Sequence, residues 1–137
     1  MTRAGVWNLR SPFWLWGPVV LLMTSIFIAS SIPDVGQLPG GMSDKSGHSI
    51  AYAVLAGLLL RAFAGGRLSG ITWRAAAAAG LVAAMYGVSD ELHQSFVPGR
   101  TADRADVLAD SIGAAVAVTA GWLAGAARRW GILDSSS

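Results

Sequence analysis

Apolar residues run in long blocks along the chain, and polar residues collect at the block ends. Pro12 to Ser31 is an uncharged block of 20 residues. At about 1.5 Å rise per residue it can cross the roughly 30 Å hydrocarbon core of a bilayer. Trp7, Trp14 and Trp16 lie around its start, where indoles favour the membrane–water boundary. The rival reading is a signal peptide cleaved at Ala29-Ser30-Ser31. The block exceeds the usual signal core of about 7–15 residues, which favours a retained span.

A loop rich in Pro and Gly follows, from Ile32 to Gly41, and Ser43 is placed to cap a helix starting at Asp44. That helix should run to about Ala64, where Gly65-Gly66 stops it. A third helix should start near Trp73, pass through Ala75–Ala79 and continue to Val97, before Pro98-Gly99. A fourth should begin near Ala105 and end at Arg128-Arg129, followed by a short frayed tail. The predicted fold class is all-α. It is an integral membrane bundle of four transmembrane helices (about 12–31, 44–64, 73–97 and 105–128) within a single domain over 1–137.

Composition supports a bilayer as the main solvent. Only 13% of the 137 residues are charged, 53% are hydrophobic and mean hydropathy is +0.51, whereas a soluble domain carries roughly 25% charge. Four spans leave no room for a second globular unit. The absence of cysteine excludes disulfides, thiolate nucleophiles and Cys-based zinc sites. A net charge of +2 with no basic face gives no reason to expect nucleic acid.

The charges are segregated. Arg3, Arg10, Arg61, Arg67, Arg74, Arg128 and Arg129 fall on one side of the predicted bundle. Asp34, Asp44, Asp90, Glu91, Asp103, Asp106 and Asp110 fall on the other, with Lys45, Arg100 and Arg104. The preference of basic residues for the cytoplasmic side places both termini inside and the acids at the outer face. Small residues suggest how two helices meet. Gly113, Ala117, Gly121 and Gly125 form a ridge on helix four, and helix three offers Gly80, Ala84 and Val88, with Ala83 and Gly87 beside them. Such ridges let helices approach closely in lipid, so helices three and four are expected to pair along them.

The polar residues are costly where they stand. Only 15 residues separate Arg74 from Asp90, and 15 separate Lys45 from Arg61. Each stretch covers about 22 Å against a core of about 30 Å. Arg74 can snorkel on its long stem, but Asp90 and Glu91 have less reach. Asp90, Glu91, His48 and Asp110 are therefore expected slightly below the outer surface, facing other helices, where ionisable groups are functional candidates. Helical spacing sets Asp44, His48 and Tyr52 on one face, Asp90 and Gln94 on another, and Asp106 and Asp110 on a third.

Each group also has an ordinary reading. Asp44 can be a first-turn acid, Tyr52 a belt aromatic, His93 a solvated residue, Phe96-Val97 a lipid anchor and Asp106 a helix cap. His48, Glu91, Asp106 and Asp110 are donors that divalent metals take. No contiguous motif such as His-Glu-x-x-His occurs, so neither a metal nor another cofactor is expected. No glycine-rich phosphate loop or nucleophile elbow is present.

Three pieces together resemble the VanZ-like family of small integral membrane proteins. They are Asp44-Lys45-x-x-His48-x-x-x-Tyr52, then Asp90-Glu91-x-x-Gln94-x-Phe96-Val97-Pro98-Gly99-Arg100, then Asp106-Val107-Leu108-Ala109-Asp110-x-x-Gly113. They cover about 42–116 in the family's order. Where the family usually carries Asn, this chain has Asp110. The resemblance implies a multi-pass protein of the bacterial plasma membrane, in a family whose founding member is tied to resistance to the glycopeptide antibiotic teicoplanin. Some relatives carry a phosphotransbutyrylase label, which no acyl-CoA or nucleophile feature of this chain supports.

Three readings follow. In the first, the polar face is an enzyme-like site on a membrane lipid or lipid-linked phosphate or sugar precursor of the envelope. Glu91 or Asp110 is then the base, His48 its proton partner, and Lys45 with Arg100 an anion clamp. Asp44, Tyr52, Asp90, Gln94 and Asp106 complete the binding set. In the second, the cluster is a structural or docking network in a non-catalytic scaffold. In the third, the chain is a small transporter or lipid-flipping unit, in which a homo-oligomer is expected; the confinement of polar residues to the outer half counts against it.

Overall fold

The computed structural model of the chain describes residues 10–33, 44–100 and 102–131. The leader with Arg3 and Trp7, the loop with Asp34, the Ser43 cap and the tail beyond Gly131 lie outside the described residues. So do the side chains of Asp44 and Lys45.

The protein is all-helical among the described residues. It has four α-helices: α1 (Pro12–Ser30), α2 (Asp44–Phe63), α3 (Trp73–Gln94) and α4 (Arg104–Arg129). A single 3-10 turn, Leu68–Gly70, sits between α2 and α3. Three segments are long and apolar enough to cross a membrane: Pro12–Ser30, Ser46–Phe63 and Arg104–Arg129. With 22 residues, α3 has a length of about 33 Å but not the composition, because it carries Arg74 in its first turn and Asp90, Glu91, His93 and Gln94 toward its end.

The helix ends follow local chemistry. Gly65 and Gly66, with φ of 62° and 70°, close α2. The Gly66 N–H donates to the Arg61 carbonyl at 2.9 Å and the Gly65 N–H to Ala62 at 3.0 Å, the paired bonds of a Schellman ending. Thr72 caps α3 by accepting from the Ala75 N–H at 3.2 Å. Asp103 caps α4 by accepting from the Ala105 N–H at 2.9 Å. Helix α3 stops at Gln94, three residues short of the expected Val97. Pro98 disfavours helical backbone at Val97, and the chain unwinds through turns, with Phe96 N–H on His93 and Val97 N–H on Gln94, both at 3.0 Å.

The helices alternate in direction. At one end the start of α1 meets the end of α2, where the Arg61 Nη1 donates to the Trp14 carbonyl at 2.8 Å. Arg129 at the end of α4 donates to the Ile71 carbonyl just before α3. The described arginines Arg10, Arg61, Arg67, Arg74, Arg128 and Arg129 thus share one end of the bundle. The acids share the other.

Tyr52, Leu55, Ala56, Leu59, Ala79 and Ala83 form the middle of the core, each at most 1% exposed. The small-residue ridge on α4 is used, but chiefly against α2 rather than against α3 as its pattern suggested. A Cβ at Gly113 would collide with the Ser49 backbone carbonyl, one at Gly121 with the Leu60 side chain, and one at Gly125 with Ile71. On α3, Gly80 faces Val118, while Gly87 faces Asp110 and Tyr52. The reason lies in α2, which offers Ser49, Ala53 and Ala56 on one face and so brings the Ser49 backbone against Gly113. Helix α1 packs on α2 and more lightly on α3.

Candidate functional site

At the acid-bearing end, the first turns of α2 and α4 and the last turns of α1 and α3 come together. His48 and Tyr52 are one turn apart on α2, with their rings 6.5 Å apart and nearly parallel at 9°. Asp110, in the second turn of α4, sits opposite: its Oδ1 lies 3.6 Å from His48 Nδ1, an ion-pair distance when the imidazole is protonated. Gly87 makes this meeting possible. A Cβ there would stand 3.3 Å from Asp110 Oδ2 and 3.4 Å from Tyr52 Cε1, so α3 leaves its surface bare where the other two side chains converge.

Asp90 is held from two sides. Ser30 Oγ of α1 donates to its Oδ2 at 2.9 Å, and Gln94 Nε2 donates to the same oxygen at 3.1 Å. Arg100 continues the chain of contacts. Its Nη1 reaches Gln94 Oε1 at 3.5 Å, while Nε and Nη2 donate to the carbonyls of Ile32 and Ala29 at 3.0 and 3.3 Å. The guanidinium therefore caps the open carbonyl end of α1, where a cation is favoured by the helix dipole. Ser30, Asp90, Gln94, Arg100 and the α1 carbonyls close into a ring that ties α1 to α3.

Glu91, on the adjacent face, accepts from the backbone N–H of Asp103 through Oε1. It thereby fixes the approach to α4, whose first turn contains the half-buried Asp106. His93 is only partly exposed. Its ring stacks on Phe27 with centroids 4.3 Å apart, and Nε2 lies 3.0 Å from Ser31 Oγ. Tyr52 is not a belt aromatic, since it is fully buried. Phe96 is 78% exposed on the turn after α3, as a lipid-facing side chain would be.

Of the sequence-derived candidates, His48, Tyr52, Asp90, Gln94 and Asp110 share one cluster. Glu91 and Asp106 border it on the α3–α4 side, and Arg100 borders it toward α1. The start of α2 carries Asp44 and Lys45 at the same end. Sequence reasoning found α1 but gave it no part in the site. Ser30 and Ser31, which entered there only through the rival cleavage reading, supply hydroxyls to Asp90 and His93, and the Tyr86 hydroxyl donates to the Met23 carbonyl at 2.6 Å. Two adjacent serines closing an otherwise apolar block were the available signal.

Tyr52, Asp90, Gln94 and Asp110 are each no more than 3% exposed. Within this closed cluster, Tyr52 Oη, Asp90 Oδ1 and Asp110 Oδ1 have no hydrogen-bond partner among the protein's groups. Buried polar atoms are rarely left so, because each forfeits its water without replacement. The unmet atoms are two carboxylate oxygens and a phenol. The carboxylate oxygens can accept from a donor, the phenol can also donate, and Asp110 faces the titratable His48 ring. Among the described residues no group of three or more His, Cys, Asp or Glu side chains is arranged to hold a metal ion.

No curated protein and no solved structure matches the chain. A family model, VanZ/LLP1, matches residues 11–125. That span takes in α1, the cluster and nearly all of α4, so the chain belongs to the VanZ/LLP1 family.

Proposed function

We propose that this protein is a multi-pass component of the bacterial plasma membrane whose acid-bearing end faces outward. There it receives the headgroup of an envelope lipid or lipid-linked precursor. The observation that carries the reading is a set of three buried oxygens without a hydrogen bond, Tyr52 Oη, Asp90 Oδ1 and Asp110 Oδ1, the last facing the partly exposed His48 ring at 3.6 Å. Acceptors of this kind suit a headgroup rich in hydroxyl or ammonium donors, such as a sugar, better than a bare phosphate, which carries the same charge sign as the acids. His48 and Asp110 form the pair able to move a proton to or from such a donor. Glu91 and Arg100, which organise the α4 entry and the α1 end, position the cluster. Both termini then lie on the cytoplasmic side, with all four helices in the membrane. The consequence for the cell is altered susceptibility to glycopeptide antibiotics that act on the envelope.

A second reading has its own observation. The ring from Ser30 to Arg100 ties α1 to α3 through polar groups alone, as a non-catalytic scaffold would require.

One experiment separates them. The chain and its variants are expressed in a teicoplanin-susceptible bacterium, and the minimal inhibitory concentration is measured beside membrane abundance. Under the first reading, His48→Ala and Asp110→Asn abolish the shift in susceptibility at unchanged abundance. Under the scaffold reading both variants keep it, and only Ser30→Ala and Arg100→Ala, which loosen α1, lose it.

A further inference from the structure

Away from the polar cluster, α3 and α4 leave an open groove of about 460 Å³ on the outside of the bundle. Helix α1 packs against α2 and α3 and does not cover this seam. The floor is made of small residues, Ala77 and Gly80 of α3 and Ala115 of α4, and Ser111 closes one end. Trp73 and Trp122 stand at the other end. From Ser111 to Trp122 the groove follows α4 for about 16 Å, along the direction of a lipid chain in a bilayer. Its volume falls within the range of small-molecule sites, about 300–1,000 Å³.

The tryptophan end is charged. The Arg74 guanidinium lies over the Trp73 ring, 5.5 Å from its centroid. No carboxylate of the described residues pairs with it. An arginine held on an indole at the bilayer boundary presents its donors to whatever lies at the headgroup level. A second copy of the chain suits this face poorly. Copies in one membrane share orientation, so a two-fold contact through the groove would set Arg74 near Arg74. An anionic headgroup removes that cost.

The geometry points to a binding site for one anionic phospholipid, with an acyl chain in the α3–α4 groove and its phosphate on Arg74. The headgroup end of the site lies at the arginine end, opposite the polar cluster, and its ligand belongs to the leaflet on that side.

The test is native mass spectrometry of the full chain released from detergent in the presence of phosphatidylglycerol or phosphatidylcholine of matched acyl chains. The wild type is expected to retain phosphatidylglycerol about fivefold more than phosphatidylcholine, the preference one surface arginine supplies. Arg74→Gln should bring the two lipids level while the helices unfold at an unchanged temperature, because the side chain is exposed. Ala77→Phe, which fills the groove from an exposed position, should lower retention of both lipids. Equal retention of the two lipids by the wild type overturns the proposal. So does a preference that survives Arg74→Gln, retention that survives Ala77→Phe, or a dimer that takes the place of the lipid adduct and is removed by Ala77→Phe.

Discussion

Gly113 stands where α4 crosses α2, and the Ser49 carbonyl occupies the space its side chain would need. Because the opposing atom is backbone, a methyl cannot be accommodated by a rotamer change, and the two helices must separate. Gly113→Ala should therefore destabilise the bundle by about 1–3 kcal/mol or somewhat more, seen as a lowered unfolding midpoint in detergent. Gly80→Ala, whose new methyl would meet only Val118 at 3.6 Å, is the matched control and should change little. The polar residues obey the same local logic. Asp110 packs beside Gly87 and His48, Asp90 accepts from Ser30 and Gln94, and Glu91 accepts from the α4 approach. Their residue types and spacing announced a site. The partner of each was not legible, because a partner on another helix has no fixed sequence offset.

Helix α1 carries Pro18 in its interior. Proline has no N–H, so the carbonyl four residues earlier, that of Trp14, loses its helical donor. Arg61 of α2 supplies the replacement at 2.8 Å. In an apolar environment an unmet carbonyl is expensive, and a neighbouring helix commonly meets it. Arg61→Gln should thus cost about 1–3 kcal/mol. In a Pro18→Ala background, where the backbone N–H is restored, the same change should cost clearly less. The measurement is a double-mutant cycle on thermal or denaturant unfolding. Equal costs in both backgrounds would show that Arg61 acts through something other than the Trp14 carbonyl. At the opposite end of α1, Arg100 performs the equivalent task, donating to the Ala29 and Ile32 carbonyls.

At the scale of the whole molecule, the alternation of four helices separates two chemically distinct ends. One carries Arg10, Arg61, Arg67, Arg74, Arg128 and Arg129 and the start of the lipid groove, the other the buried acids with Arg100 and Arg104. The proposed orientation, with the arginines cytoplasmic, is open to direct test because the chain has no cysteine. Ser69→Cys, in the turn between α2 and α3, and Ser95→Cys, in the turn after α3, are exposed, nearly isosteric changes at opposite ends. In intact cells a membrane-impermeant maleimide should label Cys at 95 and spare Cys at 69. The reverse pattern would invert the protein and put the acid cluster inside.

The amino-acid sequence alone determined the helices, their order and most of their ends, the last turn of α3 excepted. Those depend on apolar block length, on glycine pairs such as Gly65-Gly66, and on proline at 98, all of which act within a few residues. It also determined the segregation of charge and the identity of the polar candidates, since short carboxylates in an apolar chain are conspicuous wherever they fall. The tertiary structure decided what faces what. It set α4 against α2 rather than chiefly against α3, brought the serines of α1 into the site, drew Arg100 onto the carbonyls of α1, and left three buried oxygens without a hydrogen bond. The physical reason is that packing in an apolar medium selects among faces of nearly equal hydrophobicity. The choice rests on close backbone approach and on hydrogen bonds between residues sixty or more positions apart.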